Sequence, residues 1–94
     1  MTTKAFKVVT ISVKPNSFGL YGHVLMAEDG EAWEVGRSRL GRRHPNEWSK
    51  GQIVQIQTHE DRPQWHKHGV EIPRQLPKAP DNVVAEVWGK GVAA

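Results

Sequence analysis

Residues 20–37, with the sequence LYGHVLMAEDGEAWEVGR, decide the fold of this 94-residue chain. Two largely apolar segments, residues 20–27 and 32–37, flank the pair Asp29-Gly30. This pair is a strong β-hairpin signal, because glycine accepts the positive φ that a tight turn between strands requires. We therefore predict two antiparallel strands joined at Asp29-Gly30.

Further strands are predicted on both sides of this hairpin. Residues 5–14 and 52–58 place apolar side chains at every second position, which is typical of half-buried strands. In the first of these segments, Val9, Ile11 and Val13 share one face, while Phe6 and Val8 lie on the other. A fifth strand is predicted over residues 65–72, so most of the chain up to residue 72 is predicted to form strands.

These strands predict an all-β fold, a small barrel of five to six strands. Both an OB-like barrel and an SH3-like barrel agree with this pattern. Residues 38–50, which begin with a predicted short helical turn at Ser38, lie between the third and fourth strands, where an OB-fold carries its helix. This position favours the OB-like alternative.

After residue 72 the sequence becomes rich in proline. Three prolines between residues 73 and 80 predict an extended connector with few hydrogen bonds. We therefore divide the chain into a small β-barrel domain, residues 1–72, and a Pro-rich connector and C-terminal tail, residues 73–94, packed on or extending from the barrel. Residues 83–88 form either a sixth strand or a short helix, and Trp88 is expected to pin the tail onto the barrel.

The amino-acid composition indicates a cellular location and excludes some kinds of site. The chain has no cysteine, which excludes disulfides and zinc sites built on cysteine. It has neither the apolar region of a signal peptide nor a segment long enough to cross a membrane. The expected location is therefore the cytoplasm, with no membrane partner.

Charge is distributed unevenly, although the net charge is only +3. Residues 1–27 carry three lysines and no acid, residues 28–34 carry four acids and no base, and residues 37–43 carry four arginines and no acid. Such segregation steers a polyanion toward one face of a protein. A solvated loop or a docking surface for an acidic protein would have the same composition.

Four short motifs follow one another in an order that resembles the cold-shock domain, an OB-fold that binds single-stranded RNA and DNA. They are YGHV at residues 21–24, DG at 29–30, AWEVGRS at 32–38 and GQIV at 51–54. The similarity spans roughly residues 8–72. It implies an OB-like barrel and binding of single-stranded nucleic acid, although Glu34 and Gly36 stand where the family places stacking rings.

The residues themselves also favour single-stranded RNA or DNA as the partner. Aromatic rings stack on bases, and guanidinium and ammonium groups hold phosphates. On the second strand we expect Tyr21 and His23 to face solvent, and on the fifth we expect Trp65 to be exposed. The predicted nucleic-acid-binding residues are Tyr21, His23 and Trp65 for stacking and Arg37, Arg39, Arg42, Arg43 and Lys50 for the backbone.

Other classes of function fit less well. The chain lacks a cysteine nucleophile, a Gly-rich phosphate loop, a nucleophile elbow and a His-Glu-x-x-His motif, so we predict no enzyme activity and no cofactor. The pattern leaves open whether His59, His66 and His68 bind a metal. The alternative function is a small protein–protein interaction module that regulates a larger machine through the arginine-rich loop or the tail with Trp88.

Overall fold

The structure is a computed structural model that describes residues 2–15, 21–37, 48–68 and 70–89. Within these ranges the chain forms six strands, one 3-10 helix at Trp65–His68 and one α-helix, α1, at Asp81–Trp88. The strands are β1 Thr2–Pro15, β2 Tyr21–Ala27, β3 Ala32–Arg37, β4 Ile53–His59, β5 Arg62–Pro63 and β6 Glu71–Leu76. The predicted all-β, barrel-like class is confirmed.

All six strands belong to one antiparallel sheet, which curls into a half-barrel. Their order across the sheet is β5-β4-β1-β2-β3-β6. Within it, the order β4-β1-β2-β3 is that of a Greek key, in which the fourth strand returns to lie beside the first. The two outer strands, β5 and β6, are therefore the edges of the sheet.

The predicted hairpin between β2 and β3 is confirmed. Gly30 has a φ of 94°, and the amide of Ala27 donates to the carbonyl of Glu31 at 2.8 Å. The turn also contacts the C-terminal connector, because the amide of Ala79 donates to the carbonyl of Gly30 at 2.9 Å. A Cβ on Gly30 would lie only 2.8 Å from the carbonyl oxygen of Ala79. Gly30 is therefore required both by its backbone angle and by the close approach of the connector.

The hydrophobic core lies on the inner face of the curled sheet. The alternation predicted for β4 is confirmed, and in β1 the inner face is the one with Phe6 and Val8, which like Ile56 are almost completely buried. The core cluster consists of Phe6, Val8, Leu25, Ala27, Val35, Trp48, Val54, Ile56, Trp65 and Val70, with Trp33 packed against it.

The predicted strand over residues 65–72 is wrong. Residues 65–68 form the 3-10 helix, and β6 begins only at Glu71. Pro73 lies inside β6, so the predicted domain boundary between residues 72 and 73 falls within a strand. A proline lacks the N–H donor that a central strand needs, but it is tolerated in an edge strand such as β6.

The C-terminal segment folds as a helix, one of the two alternatives left open by the sequence. α1 follows Pro80 and ends at Gly89, whose φ of 62° is the left-handed conformation common at helix C-termini. Nε1 of Trp88 donates to the carbonyl of Met26 at 3.2 Å, so α1 is hydrogen-bonded to β2 through this ring. Among the described residues, no helix has the length and hydropathy needed to cross a bilayer.

Candidate functional site

One end of the β2–β3 hairpin brings two of the predicted binding residues together. Tyr21, the first residue of β2, is directly opposite Arg37, the last residue of β3. On its other side Tyr21 is opposite Pro15 of β1. Opposite residues of an antiparallel pair have Cα atoms about 4.5–5.5 Å apart. The side chains of Tyr21 and Arg37 lie outside the described residues, as do residues 38–47 with Arg39, Arg42, Arg43 and the predicted helical turn.

Lys50 lies in an exposed turn that is held against β1. The amide of Gly51, whose φ is 88°, donates to the carbonyl of Val8 at 2.8 Å. Lys50 lines a shallow cleft together with Lys7, whose Nζ lies 5.8 Å from the ring centroid of Trp88. The predicted phosphate contact at Lys50 is therefore on the side of the sheet where α1 packs, with a second lysine nearby.

The expectation that His23 faces solvent is wrong. Only 2% of its surface is exposed, and its ring meets that of Trp48 edge-on, with centroids 5.4 Å apart. Both faces of β2 are covered, because α1 packs on the outer face next to Met26 while His23 and Leu25 face the core. The alternating pattern of β2 therefore does not show which face points to the core. His23 is a core residue, and its predicted role in stacking on a base is wrong.

The expectation that Trp65 is an exposed ring is also wrong. Trp65 is 4% exposed, and its ring lies 5.3 Å from that of Phe6 and 5.6 Å from that of Trp33. Trp65 begins the 3-10 helix, and its side chain is directed into the core. Its Nε1–H donor is buried and has no acceptor within the described part of the chain.

The open side of the half-barrel holds a cleft that the sequence analysis missed. It lies between the two edge strands and has a volume of about 460 Å³. We call it the aromatic cleft, and its lining includes Trp33, Trp65, Arg62, Pro63, Pro73 and Gln75. Two acids, Glu31 and Asp61, complete the lining.

Glu31 fixes the ring of Trp33 in this cleft. Nε1 of Trp33 donates to Oε2 of Glu31 at 2.7 Å, and Nζ of Lys4 donates to the other carboxylate oxygen. Lys4 also donates to Oδ2 of Asp29 at 2.7 Å. One lysine of β1 therefore holds two acids of the hairpin turn, Asp29 and Glu31, and Glu31 in turn orients an indole.

The contacts among Lys4, Asp29 and Glu31 shift the pKa values of Lys4 and Asp29. Partial burial lowers the pKa of Lys4, but hydrogen bonds and attraction from Asp29 and Glu31 outweigh it, so the pKa lies above its ordinary value. The hydrogen bond from Lys4 is the largest cause that holds the pKa of Asp29 below its ordinary value, with partial burial opposing it and the backbone amide of Glu31 adding to it. Both ions are therefore stabilised in the folded state.

The three histidines considered for a metal site lie on two different elements. His59 ends β4, whereas His66 and His68 belong to the 3-10 helix rather than to a strand with a common face. His59 is largely exposed and lies 3.8 Å from the carboxylate of Glu60. No cluster of three or more metal-ligating side chains occurs in residues 2–15, 21–37, 48–68 and 70–89.

Two sequence signals pointed to the aromatic cleft without being recognised. Glu31 and Trp33 are two residues apart, the spacing at which side chains leave a strand on the same side. Pro63 and Pro73 mark positions typical of edge strands, and a cleft lies between two such edges. The chain matches no family model, no curated protein and no solved structure.

Proposed function

We propose that this protein is a non-enzymatic, OB-like barrel that binds single-stranded RNA or DNA. The observation that carries the proposal is the placement of Tyr21 directly opposite Arg37 at the end of the β2–β3 hairpin. Arg37 leads straight into a segment, residues 37–43, that carries four arginines. A base stacked on an aromatic ring and phosphates held by guanidinium groups are the two elements of single-strand binding.

The strand order supports the OB-like form of the proposal. An OB-fold is a five-stranded, partly open Greek-key barrel that commonly binds oligonucleotides. The order β4-β1-β2-β3 of this sheet is a Greek key, and β5 and β6 leave the barrel partly open. An SH3-like barrel is the alternative description of the same small sheet.

Charge along the hairpin also supports binding at the end with Tyr21 and Arg37. The acids Glu28, Asp29 and Glu31 lie at the turn, whereas Arg37 ends the strand at the opposite end. The six residues of β3 separate the two ends by about 20 Å at 3.3 Å per residue. The phosphates of a polyanion are therefore attracted to the arginine end rather than to the turn.

The test is a titration of labelled 16-nucleotide RNA and DNA single strands with the full chain, followed by fluorescence anisotropy at several salt concentrations. Neutralisation of four phosphates predicts a log–log salt slope of about −3 for a single strand. The double variant Arg42→Ala/Arg43→Ala should make that slope shallower by about 1.4. The double variant Arg74→Ala/Lys78→Ala removes the same charge on β6 and the connector, and it should bind as the wild type does. Absence of binding at low salt would refute the proposal.

A protein-interaction module is the alternative, and it would use the arginine-rich segment or the tail. Trp88 is half-buried and hydrogen-bonded to Met26, so this ring already has a role within the chain. If a protein partner were captured after nuclease treatment while oligonucleotides failed to bind, the alternative would replace nucleic-acid binding.

A further inference from the structure

The aromatic cleft has the size and position of a ligand site. Its volume of about 460 Å³ falls in the range of about 300–1,000 Å³ typical of small-molecule pockets. It is lined from both sheet edges, by Arg62 and Pro63 of β5 and by Pro73 and Gln75 of β6. A ligand bound here would contact both edges of the half-barrel at once.

The aromatic wall of the cleft is held in place before any ligand arrives. Trp33 packs on Trp65, which packs on Phe6, so three rings form one contiguous row. Glu31 fixes the remaining freedom of Trp33 through the 2.7 Å hydrogen bond to Nε1. Because Trp33 is only half-buried, part of its surface remains accessible to a planar ligand. Stacking on a ring that is already ordered avoids the entropy cost of immobilising it.

The charges around the cleft nearly cancel. Lys4 is paired with Glu31, and the neighbouring residues Asp61 and Arg62 carry opposite charges. A phosphate gains little from such a lining, and neither does a cation. An uncharged planar group with polar edges matches it better.

Polar groups in the lining match the edge of a nucleobase. The side-chain amide of Gln75 supplies both donors and an acceptor, as the edges of bases do. Trp65 lines the cleft with an Nε1–H donor that is buried and lacks an acceptor among the described residues. Because this Nε1–H is covered, Gln75 is the group in the lining that the edge of a base can reach.

The edges of the cleft are less suited to an extended peptide. A peptide that adds to a sheet edge needs backbone N–H donors as well as carbonyls along that edge. Pro63 in β5 and Pro73 in β6 have no N–H donor, a feature that blocks strand addition in many proteins. Binding through side chains and rings therefore fits the cleft better than β-augmentation.

We propose that the aromatic cleft receives one base of the single strand whose phosphates are held beyond Arg37. This inference rests on the proposed function. Trp33 lies four residues from Arg37 along β3, which is about 13 Å. A binding site of about 4–16 nucleotides, the range for one OB-fold, spans this distance.

The experiment uses the ¹⁵N-labelled full chain, whose four tryptophans give four indole Nε1–H signals. One sample is titrated with the octamer of deoxythymidylate and another with a proline-rich octapeptide. The oligonucleotide should shift the signals of Trp33 and Trp65 and leave that of Trp88 in place, because Trp88 donates to Met26 under α1. The variant Gln75→Ala should bind the octamer about threefold to tenfold more weakly. Gln55→Ala, at an exposed position of β4, is the matched control and should bind as the wild type does.

The other possible results of this experiment distinguish failure of the base subsite from failure of the proposed function. If the octamer binds but the signals of Trp33 and Trp65 stay in place, or if Gln75→Ala binds normally, the base subsite is wrong and the proposed function stands. If the octamer does not bind at low salt, the proposed function itself fails. If only the peptide shifts Trp33 and Trp65, the aromatic cleft is a peptide site and the nucleobase assignment is wrong.

Discussion

Glu31, just before β3, accepts a 2.7 Å hydrogen bond at Oε2 from the indole Nε1–H of Trp33, the second residue of that strand. The second oxygen of Glu31 accepts from Lys4 of β1, two strands away in the sheet. The carboxylate therefore links the hairpin turn to β1 and at the same time sets the orientation of a ring in the aromatic cleft. Lys4, Glu31 and Trp33 form one connected polar group on the rim of the core.

Removal of Glu31 should destabilise the fold. Glu31→Ala leaves Nε1 of Trp33 without its acceptor and leaves Lys4 with Asp29 as its remaining hydrogen-bond partner. We expect a loss of about 1–2 kcal/mol in the free energy of unfolding, since hydrogen bonds to charged groups are stronger than neutral ones. Urea denaturation measures the loss, with Glu86→Ala on the exposed face of α1 as the control. Equal stability of the two variants would show that the Glu31 contacts contribute nothing.

The carboxyl of Asp29 should titrate below its ordinary pKa of 3.8. Because the pKa is lower in the folded state than in the unfolded state, this group stabilises the fold above pH 3.8, and the contribution is lost as the pH falls through the folded value. The side chain of Asp29 is more than half exposed, so solvent screening makes the effect on stability small. The direct measurement is an NMR titration of the Asp29 carboxyl carbon.

Lys4→Met should raise the pKa of Asp29, because the hydrogen bond from Lys4 is the largest cause of its lowered value. Lys78→Met is the matched control: it removes an equal charge, but Lys78 acts on Asp29 only through weaker attraction. The Lys78 variant should therefore shift the titration less. A pKa of Asp29 that is the same in the wild type and in Lys4→Met would contradict the geometry of the turn.

The sequence predicted correctly a strand that is buried on one face only, β4, and the turn between β2 and β3. β4 alternates strictly between exposed and buried residues, as its period-two pattern predicted, with Val54 and Ile56 on the buried face. The β2–β3 turn was predicted because Asp29-Gly30 has a local backbone requirement that is independent of distant residues. Both signals are readable from a few neighbouring residues.

The errors arise where distant parts of the chain decide burial. His23 was expected to face solvent, but α1 covers the outer face of β2 near Met26, so both faces of this strand are covered and alternation alone does not identify the solvent side. Trp65 was placed on a strand, but the 3-10 helix turns it into the core against Phe6. The aromatic cleft likewise depends on the spacing of two sheet edges, which no local pattern encodes.

Tyr21 and His23 should differ sharply as contributors to binding. His23 is buried against Trp48, so His23→Phe, which preserves an aromatic ring there, should keep the affinity for a single strand within about twofold. Tyr21→Ala should weaken binding about fivefold to 150-fold if its ring stacks on a base, the equivalent of about 1–3 kcal/mol. Anisotropy titrations of folded variants measure both. Loss of binding in His23→Phe with retention in Tyr21→Ala would reverse the assignment.

Gly30 and Gly51 allow the backbone angle and the close packing at the hairpin turn to be separated. Both have positive φ, 94° and 88°, so alanine at either position is strained by about 1–2 kcal/mol. At Gly51 an added Cβ meets no atom within 4 Å, whereas at Gly30 it would lie 2.8 Å from the carbonyl oxygen of Ala79. Gly30→Ala should therefore lose more stability than Gly51→Ala, because it must also displace the connector that leads to α1. Urea denaturation followed by tryptophan fluorescence measures both losses. Equal losses in the two variants would mean that the contact between the turn and the connector does not constrain the fold.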